Sequence, residues 1–173
     1  IDLRVLVGHP AVLRRVARAM LACAAALQFD CLAGIPYTGL PIAVAMSLES
    51  GCPLVYPRKE AKAYGTRRQV EGVFQAGHRA LVVDDVITTG GAKLEAIAPL
   101  REAGLVIEDI LVVVDREQAD LQALATAGLR LHSLLKVRVL LEHLQQAGAI
   151  TGSDLARAKA FFQPRSQAAP REP

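Results

Sequence analysis

The sequence predicts an α/β domain with a mainly parallel central sheet of about five strands flanked by helices, and three observations lead there. Short β-prone apolar runs alternate with segments of helical period, the pattern of repeated strand-helix-strand units. The strongest runs, Leu81-Val82-Val83 and Ile110-Leu111-Val112-Val113-Val114, are apolar at every position, as strands covered on both faces are. A chain of 173 residues, 52% hydrophobic and 21% charged, is long enough for one domain with a real core and short for two. The domain is expected over residues 1–163, followed by a disordered tail rich in Pro, Ala and Arg over 164–173.

The elements follow in order. Ile1-Asp2-Leu3-Arg4 reads as the end of a strand already under way, and without an initiating Met the N-terminus is expected to be incomplete or atypical. Val12, Leu13, Val16, Met20, Ala24 and Leu27 recur at helical spacing, so a helix is expected from Ala11 to Ala26, with Pro10 suited to its first turn and Arg14, Arg15 and Arg18 on a solvated face. Cys31 to Ile35 is the first complete buried strand, Pro36-Tyr37-Thr38-Gly39 a turn, and Leu40 to Ser50 a helix ended by Gly51. After a short strand, Leu54-Val55-Tyr56, the stretch from Arg58 to Gly72 holds five basic residues and two acids without apolar period and reads as a long exposed loop. Basic side chains there suit a departing polyanion, although such a run is as often a solvated surface.

The central strand, Ala80 to Val83, meets a helix expected from Lys93 to Ala103 and closed by Gly104. Leu105 to Val114 carries the next strand, Gln118 to Ala127 a short helix, Leu129 to Leu131 a last strand and Lys136 to Ala147 an amphipathic helix. Thr151 with Asp154 resembles a cap for a final helix running to about Phe162.

Between central strand and helix lies Asp84-Asp85-Val86-Ile87-Thr88-Thr89-Gly90-Gly91-Ala92. Unpaired N–H groups at a helix start, together with glycines that admit close approach, make an anion cradle to which Thr88 and Thr89 add hydroxyls. Two acids would repel a lone phosphate, so the ligand needs hydroxyls or a divalent cation beside its phosphate. Neighbouring strand residues point to opposite faces, which leaves open whether both acids reach the ligand or one supports the loop.

Composition narrows the partners. A formal charge of +3 with basic residues dispersed outside 58–68 speaks against a nucleic-acid stripe or polybasic anchor, and the apolar runs are too short to span a membrane. No signal-peptide pattern is visible, and Cys23, Cys31 and Cys52 lack metal-ligand spacing, so buried, reduced cysteines in a cytoplasmic protein are expected. His132 and His143 read as surface or packing residues.

Val82 to Ala92 resembles the phosphoribosyl-pyrophosphate (PRPP) signature of type I phosphoribosyltransferases. Gly34-Ile35-Pro36-Tyr37-Thr38-Gly39-Leu40-Pro41 resembles the pyrophosphate-facing turn of orotate phosphoribosyltransferases in the form seen in bifunctional UMP synthases. Arg58-Lys59-Glu60-x-Lys62-x-Tyr64-Gly65 resembles that family's catalytic loop, with Tyr64 where many bacterial members carry His and Thr66-Arg67-Arg68 in place of an acidic, glycine-rich continuation.

The resemblance implies transfer of ribose 5-phosphate from PRPP to orotate with Mg²⁺ as cofactor, in a homodimer with shared active sites. It implies catalytic roles for Lys59, Asp84 and Asp85. It assigns PRPP to Arg58, Lys59, Lys62, Tyr64, Tyr37, Thr38, Asp84, Asp85 and the run Val86, Ile87, Thr88, Thr89, Gly90, Gly91, Ala92, and orotate to Thr88 and Arg116, with no direct protein ligand for the metal. The alternatives are a phosphoribosyltransferase for another base and a PRPP-sensing regulatory protein of the same fold. The family carries a Lys-Ser-Gly segment just before the position matching Ile1, so a chain starting there is expected to bind PRPP much better than orotate.

Overall fold

The computed structural model describes residues 2–58, 69–88 and 90–162. Its elements are α1 (Pro10–Cys23), β1 (Cys31–Gly34), α2 (Gly39–Ser50), β2 (Leu54–Pro57), β3 (Val70–Glu71), β4 (Ala80–Ile87), α3 (Gly91–Glu102), β5 (Asp109–Asp115), α4 (Leu121–Thr126), β6 (Arg130–Lys136), α5 (Val137–Gln146) and α6 (Gly152–Phe162). They build one sheet in the order β3-β2-β1-β4-β5-β6, parallel throughout except for β3, which runs antiparallel to β2. The expected fold is present with six strands in place of five. The extra one is the two-residue β3, set inside the stretch read as loop.

Side-chain alternation divides the core between the two faces of the sheet. Ala80 and Val82 of β4 and Ile110 and Val112 of β5 pack with Ile97, Leu100 and Leu124 from α3 and α4. Leu81, Val83, Leu111 and Val113 face the other way, against Ala17, Met20, Ile42, Met46 and Leu141 from α1, α2 and α5. Of the arginines expected to be solvated, Arg14 and Arg18 both pair with Glu49, at 2.9 and 2.7 Å, and tie α1 to α2.

Several boundaries differ from expectation for identifiable reasons. Arg4–Gly8 is a 3-10 turn where a strand end was expected, because Asp2 Oδ1 accepts the Arg4 N–H at 3.0 Å and bends the chain locally. β4 runs to Ile87, well past Val83, because β5 continues to pair beside it: Asp84 lies opposite Val112 and Ile87 opposite Asp115. Both acids therefore lie within the strand. β6 likewise extends to Lys136, paired with β5 from Asp109↔Arg130 to Asp115↔Lys136. The Thr151 cap forms, with Asp154 N–H donating to Thr151 Oγ1 and Thr151 N–H to Asp154 Oδ2, both 3.1 Å. Cys23 is exposed rather than buried, whereas burial pushes the Cys31 thiol up to about 11. The expected 164–173 tail and much of the basic loop lie outside the described residues.

At the amino ends of β5 and β6, the buried Asp109 receives Arg130 Nε and Nη2 at 2.8 Å each and His132 Nε2 at 2.8 Å. The paired Arg130 guanidinium holds the Asp109 carboxyl below the ordinary carboxylate range. Glu108 adds Arg79 at 2.6 Å on the same rim. His132 is thus a hydrogen-bond partner of the buried Asp109 carboxylate, and His143 Nδ1 lies 2.9 Å from Val139 O.

Candidate functional site

Parallel strands deliver their carboxyl ends to one rim, and in an open α/β sheet that rim is where a ligand is received. Between β1 and β4 lies a cleft of about 670 Å³ lined by Ile35, Pro36, Tyr37, Thr38, Pro57, Arg58, Asp84, Asp85, Ala92, Lys93, Glu95, Ala96 and Pro99. The turn after β1, the end of β2, the acids of β4 and the first turns of α3 thus converge. A second cavity, of about 730 Å³, lies beyond Pro99 and is lined by Gln69, Val70, Gly72, Val73, Phe74, Ala76, Glu102 and Ala103. Among the described residues, its lining holds no cation and none of the expected site groups.

Both acids border the cleft, in unequal surroundings. Asp84 is only 4% exposed and pairs with Lys93 Nζ. Burial pushes its carboxyl up to about 6, against the pull of the Lys93 ammonium. Its Oδ1 also accepts the Asp85 N–H at 2.7 Å. Asp85 is half-buried, with Oδ1 accepting the Val86 N–H at 2.8 Å. The two carboxylates thus differ in setting: Asp84 is the braced, desolvated acid and Asp85 the more accessible one.

Lys93 is the residue that sequence reading missed, having been taken only as the start of a helix. A tight strand-to-helix reversal sets the helix's first turn opposite the strand end, and a cation there had a carboxylate to meet. Gly90, at φ 94°, makes that reversal. Its carbonyl accepts the N–H groups of Lys93 and Leu94 at 2.9 and 3.2 Å, so Gly91 and Ala92 sit ahead of the first helical bond. Thr88 is exposed at the strand end, and Thr89 lies outside the described residues.

On the opposite wall, the peptide between Pro36 and Tyr37 is cis, and Tyr37 is 72% exposed. Thr38 stands at the N-cap of α2 without spending its hydroxyl on a cap bond. Arg58 pairs with Glu71 at 2.9 Å, and its N–H donates to Gln69 O at 2.8 Å. That bond joins Arg58, on the cleft wall, to Gln69, which lines the second cavity. Lys59, Lys62 and Tyr64 themselves lie outside the described residues.

Arg116 is not in the cleft lining but one strand over, at the end of β5, where its N–H donates to Ile87 O at 3.2 Å. It forms no ion pair with Asp115, whose Oδ1 accepts the Glu117 N–H at 2.7 Å. The Arg116 guanidinium lies instead against Phe161 and Phe162. Among the described residues no group of three or more His, Cys, Asp or Glu could hold a metal, and no helix is long and apolar enough to cross a membrane.

Residues 6–127 match the phosphoribosyl transferase domain family. The orotate phosphoribosyltransferase of Cenarchaeum symbiosum is 41% identical over 155 residues, covering 87% of this chain and 78% of that protein. The structure of Leishmania donovani UMP synthase superposes with a TM-score of 0.87 at 40% identity, over 94% of this chain and 35% of that one. The orotate phosphoribosyltransferase of Mycobacterium tuberculosis H37Rv, solved in complex with PRPP, superposes at 0.67 with 27% identity, over 79% of this chain and 80% of that one. The chain spans about a third of the length of the bifunctional and UMP synthase relatives it matches.

Proposed function

The chain belongs to the phosphoribosyl transferase family, among the orotate phosphoribosyltransferases, and on that premise we propose that it transfers ribose 5-phosphate from PRPP to N1 of orotate, giving orotidine 5′-phosphate and pyrophosphate on the way to UMP. The observation that carries this reading is the β4–α3 junction, where two carboxylates, a lysine and a helix start share one cleft with Arg58. A ligand bearing a phosphate, adjacent hydroxyls and a diphosphate fits that combination. A phosphate or a sugar alone would use half of it.

In the reaction the C1′–O bond to pyrophosphate breaks and C1′–N1 forms. Negative charge grows on the leaving group and positive charge on the ribosyl carbon. The helix start at Gly91 and Ala92 would receive the 5′-phosphate, and Asp84 and Asp85 the ribose hydroxyls. Arg58, Lys59 and Lys62, with the Tyr37-Thr38 turn, would face the diphosphate. Tyr64 belongs to the same loop.

A Mg²⁺ ion fits as a passenger of the diphosphate, because magnesium keeps several waters and takes substrate phosphates readily. The described residues supply no cage of their own. When bound, the ion adds positive charge to the departing pyrophosphate. A cytoplasmic location goes with this reading, given three unpaired cysteines.

Incubation with PRPP, Mg²⁺ and a panel of bases tests the activity. Orotate should be consumed with release of one pyrophosphate per orotidine 5′-phosphate. Turnover of a purine with none of orotate would overturn the reading. An acid limb is also expected. As pH falls through about 6, Asp84 gains a proton and ceases to be a charged acceptor, so kcat/KM for PRPP should drop about tenfold per pH unit below that point. A profile flat from pH 7 to 4.5 would remove Asp84 from ligand binding.

Shared sites in a homodimer follow from the family role of Lys59. Mixing a Lys59→Ala chain with an Asp85→Asn chain makes about half the dimers mixed, each with one intact site, so about a quarter of wild-type activity should return. Verified mixed dimers without activity would mean that Lys59 serves its own subunit.

A further inference from the structure

Arg116 has a guanidinium that donates no hydrogen bond among the described residues, and its Nε is shut away from solvent without a partner. Its acidic neighbours are engaged elsewhere: Asp115 by the Glu117 N–H at 2.7 Å, Glu117 by Arg138 at 3.4 Å. What it does have is two aromatic rings. The guanidinium carbon lies 5.5 Å from the Phe161 centroid and 5.0 Å from that of Phe162, and the rings stand edge to face at 86° with centroids 5.3 Å apart. Both belong to the last turn of α6, beyond the stretch that matches the family.

We propose that Phe161 and Phe162 are positioning residues for the acceptor base, fixing the plane of Arg116 and drying one side of it so that the site selects a planar acceptor with a carboxylate. This inference rests on the proposed reaction, with Arg116 holding orotate as the family resemblance implies, and deepens it.

A forked guanidinium recognises a carboxylate through two parallel N–H donors, so its plane must be set beforehand. A protein carboxylate would set the plane and neutralise the charge together. Ring faces attract the cation while leaving its donors unspent. Excluding water from one side also strengthens the hydrogen bonds that remain. The arrangement is braced: Gln118 Nε2 donates to Phe161 O at 3.4 Å, joining α6 to the loop behind Arg116, and Lys159 pairs with Glu142 of α5 at 2.9 Å.

The test is a double variant, Phe161→Leu with Phe162→Leu, which keeps apolar volume and removes the rings. KM for orotate should rise about tenfold, and preference for orotate over uracil should fall by a similar factor, with KM for PRPP unchanged. The Phe161→Tyr, Phe162→Tyr variant, which retains both rings, should restore wild-type values. In ¹⁵N spectra, the Arg116 Nε–H signal should be ring-shifted and slow to exchange in the wild type and lose both properties in the Leu variant. If the double Leu variant fails to fold, Phe161→Leu alone, at the more exposed ring, carries the same measurements.

A folded Leu variant with wild-type orotate KM would overturn the proposal, as would Tyr and Leu variants equally impaired. A wild-type chain inert toward orotate would instead sink the proposed activity. In that case an Nε–H signal insensitive to the loss of both rings would sink the ring contact as well.

Discussion

Exchanging Asp84 and Asp85 together for Asn is expected to lower turnover by about a hundredfold to ten-thousandfold while leaving the sheet folded. Two charge-assisted hydrogen bonds to ribose hydroxyls are at stake, each worth about 1.5–3 kcal/mol, which compounds to roughly two to four decades. Folding should survive because Asn keeps the shape of Asp and β4 is held by β1 and β5 on both sides. Removing the Asp84 charge lifts a desolvation penalty but leaves the Lys93 ammonium unpaired, so a lower Tm is expected with the fold retained. Circular dichroism with steady-state kinetics decides it. A folded double variant turning over like the wild type would show that the acids do not touch the reacting ligand.

The second large effect is expected from a single methyl group. A Cβ placed on Gly39 would lie 2.7 Å from Val83 O and 2.8 Å from both the Cα and Oδ1 of Asp84. Gly39 opens α2 directly after the Tyr37-Thr38 turn, so the methyl would push apart the two walls of the cleft. Overpacking of this kind costs about 1–3 kcal/mol and should lower Tm by roughly 3–10 °C. Gly39→Ala should also raise KM for PRPP about tenfold or more, since Asp84 and the turn move in opposite directions. Gly8→Ala is the control, because nothing lies within 4 Å of its added Cβ. Unchanged stability and KM in Gly39→Ala would mean that the β1–β4 walls yield without cost.

Both variants touch residues of different legibility. Asp84 and Asp85 stood out in the sequence because acids at the end of an apolar run are unusual, and a glycine-rich turn following them has a chemical reason to be there. Gly39 did not stand out. Its constraint is a contact with a strand more than 40 positions later, and no local pattern carries such information. Lys93 and the Phe161-Phe162 pair share that fate: each looked like ordinary helix, and each acquires its role from a side chain distant in sequence or across a chain reversal.

The sheet itself was legible wherever a strand was buried on both faces. The two edge strands, the two-residue β3 and the half-buried β6, were misjudged in existence and extent, because an edge strand need not be apolar throughout. The 3-10 turn at Arg4–Gly8 was lost for a third reason. One Asp side chain captured a backbone N–H that a strand would have used.

The Asp109 cluster lies at the amino ends of β5 and β6, the far end of the sheet from the cleft. The candidate cleft and the ionic cluster therefore sit at opposite ends of the sheet and on different strands, the one on β1, β2 and β4, the other on β5 and β6, and selection can act on one without disturbing the other. Changes at Arg130 or His132 would alter how long a molecule survives in the cell while its rate per surviving molecule stays constant. A survey scoring initial rates on fresh protein would pass over such alleles as silent. One that followed abundance over hours would find them.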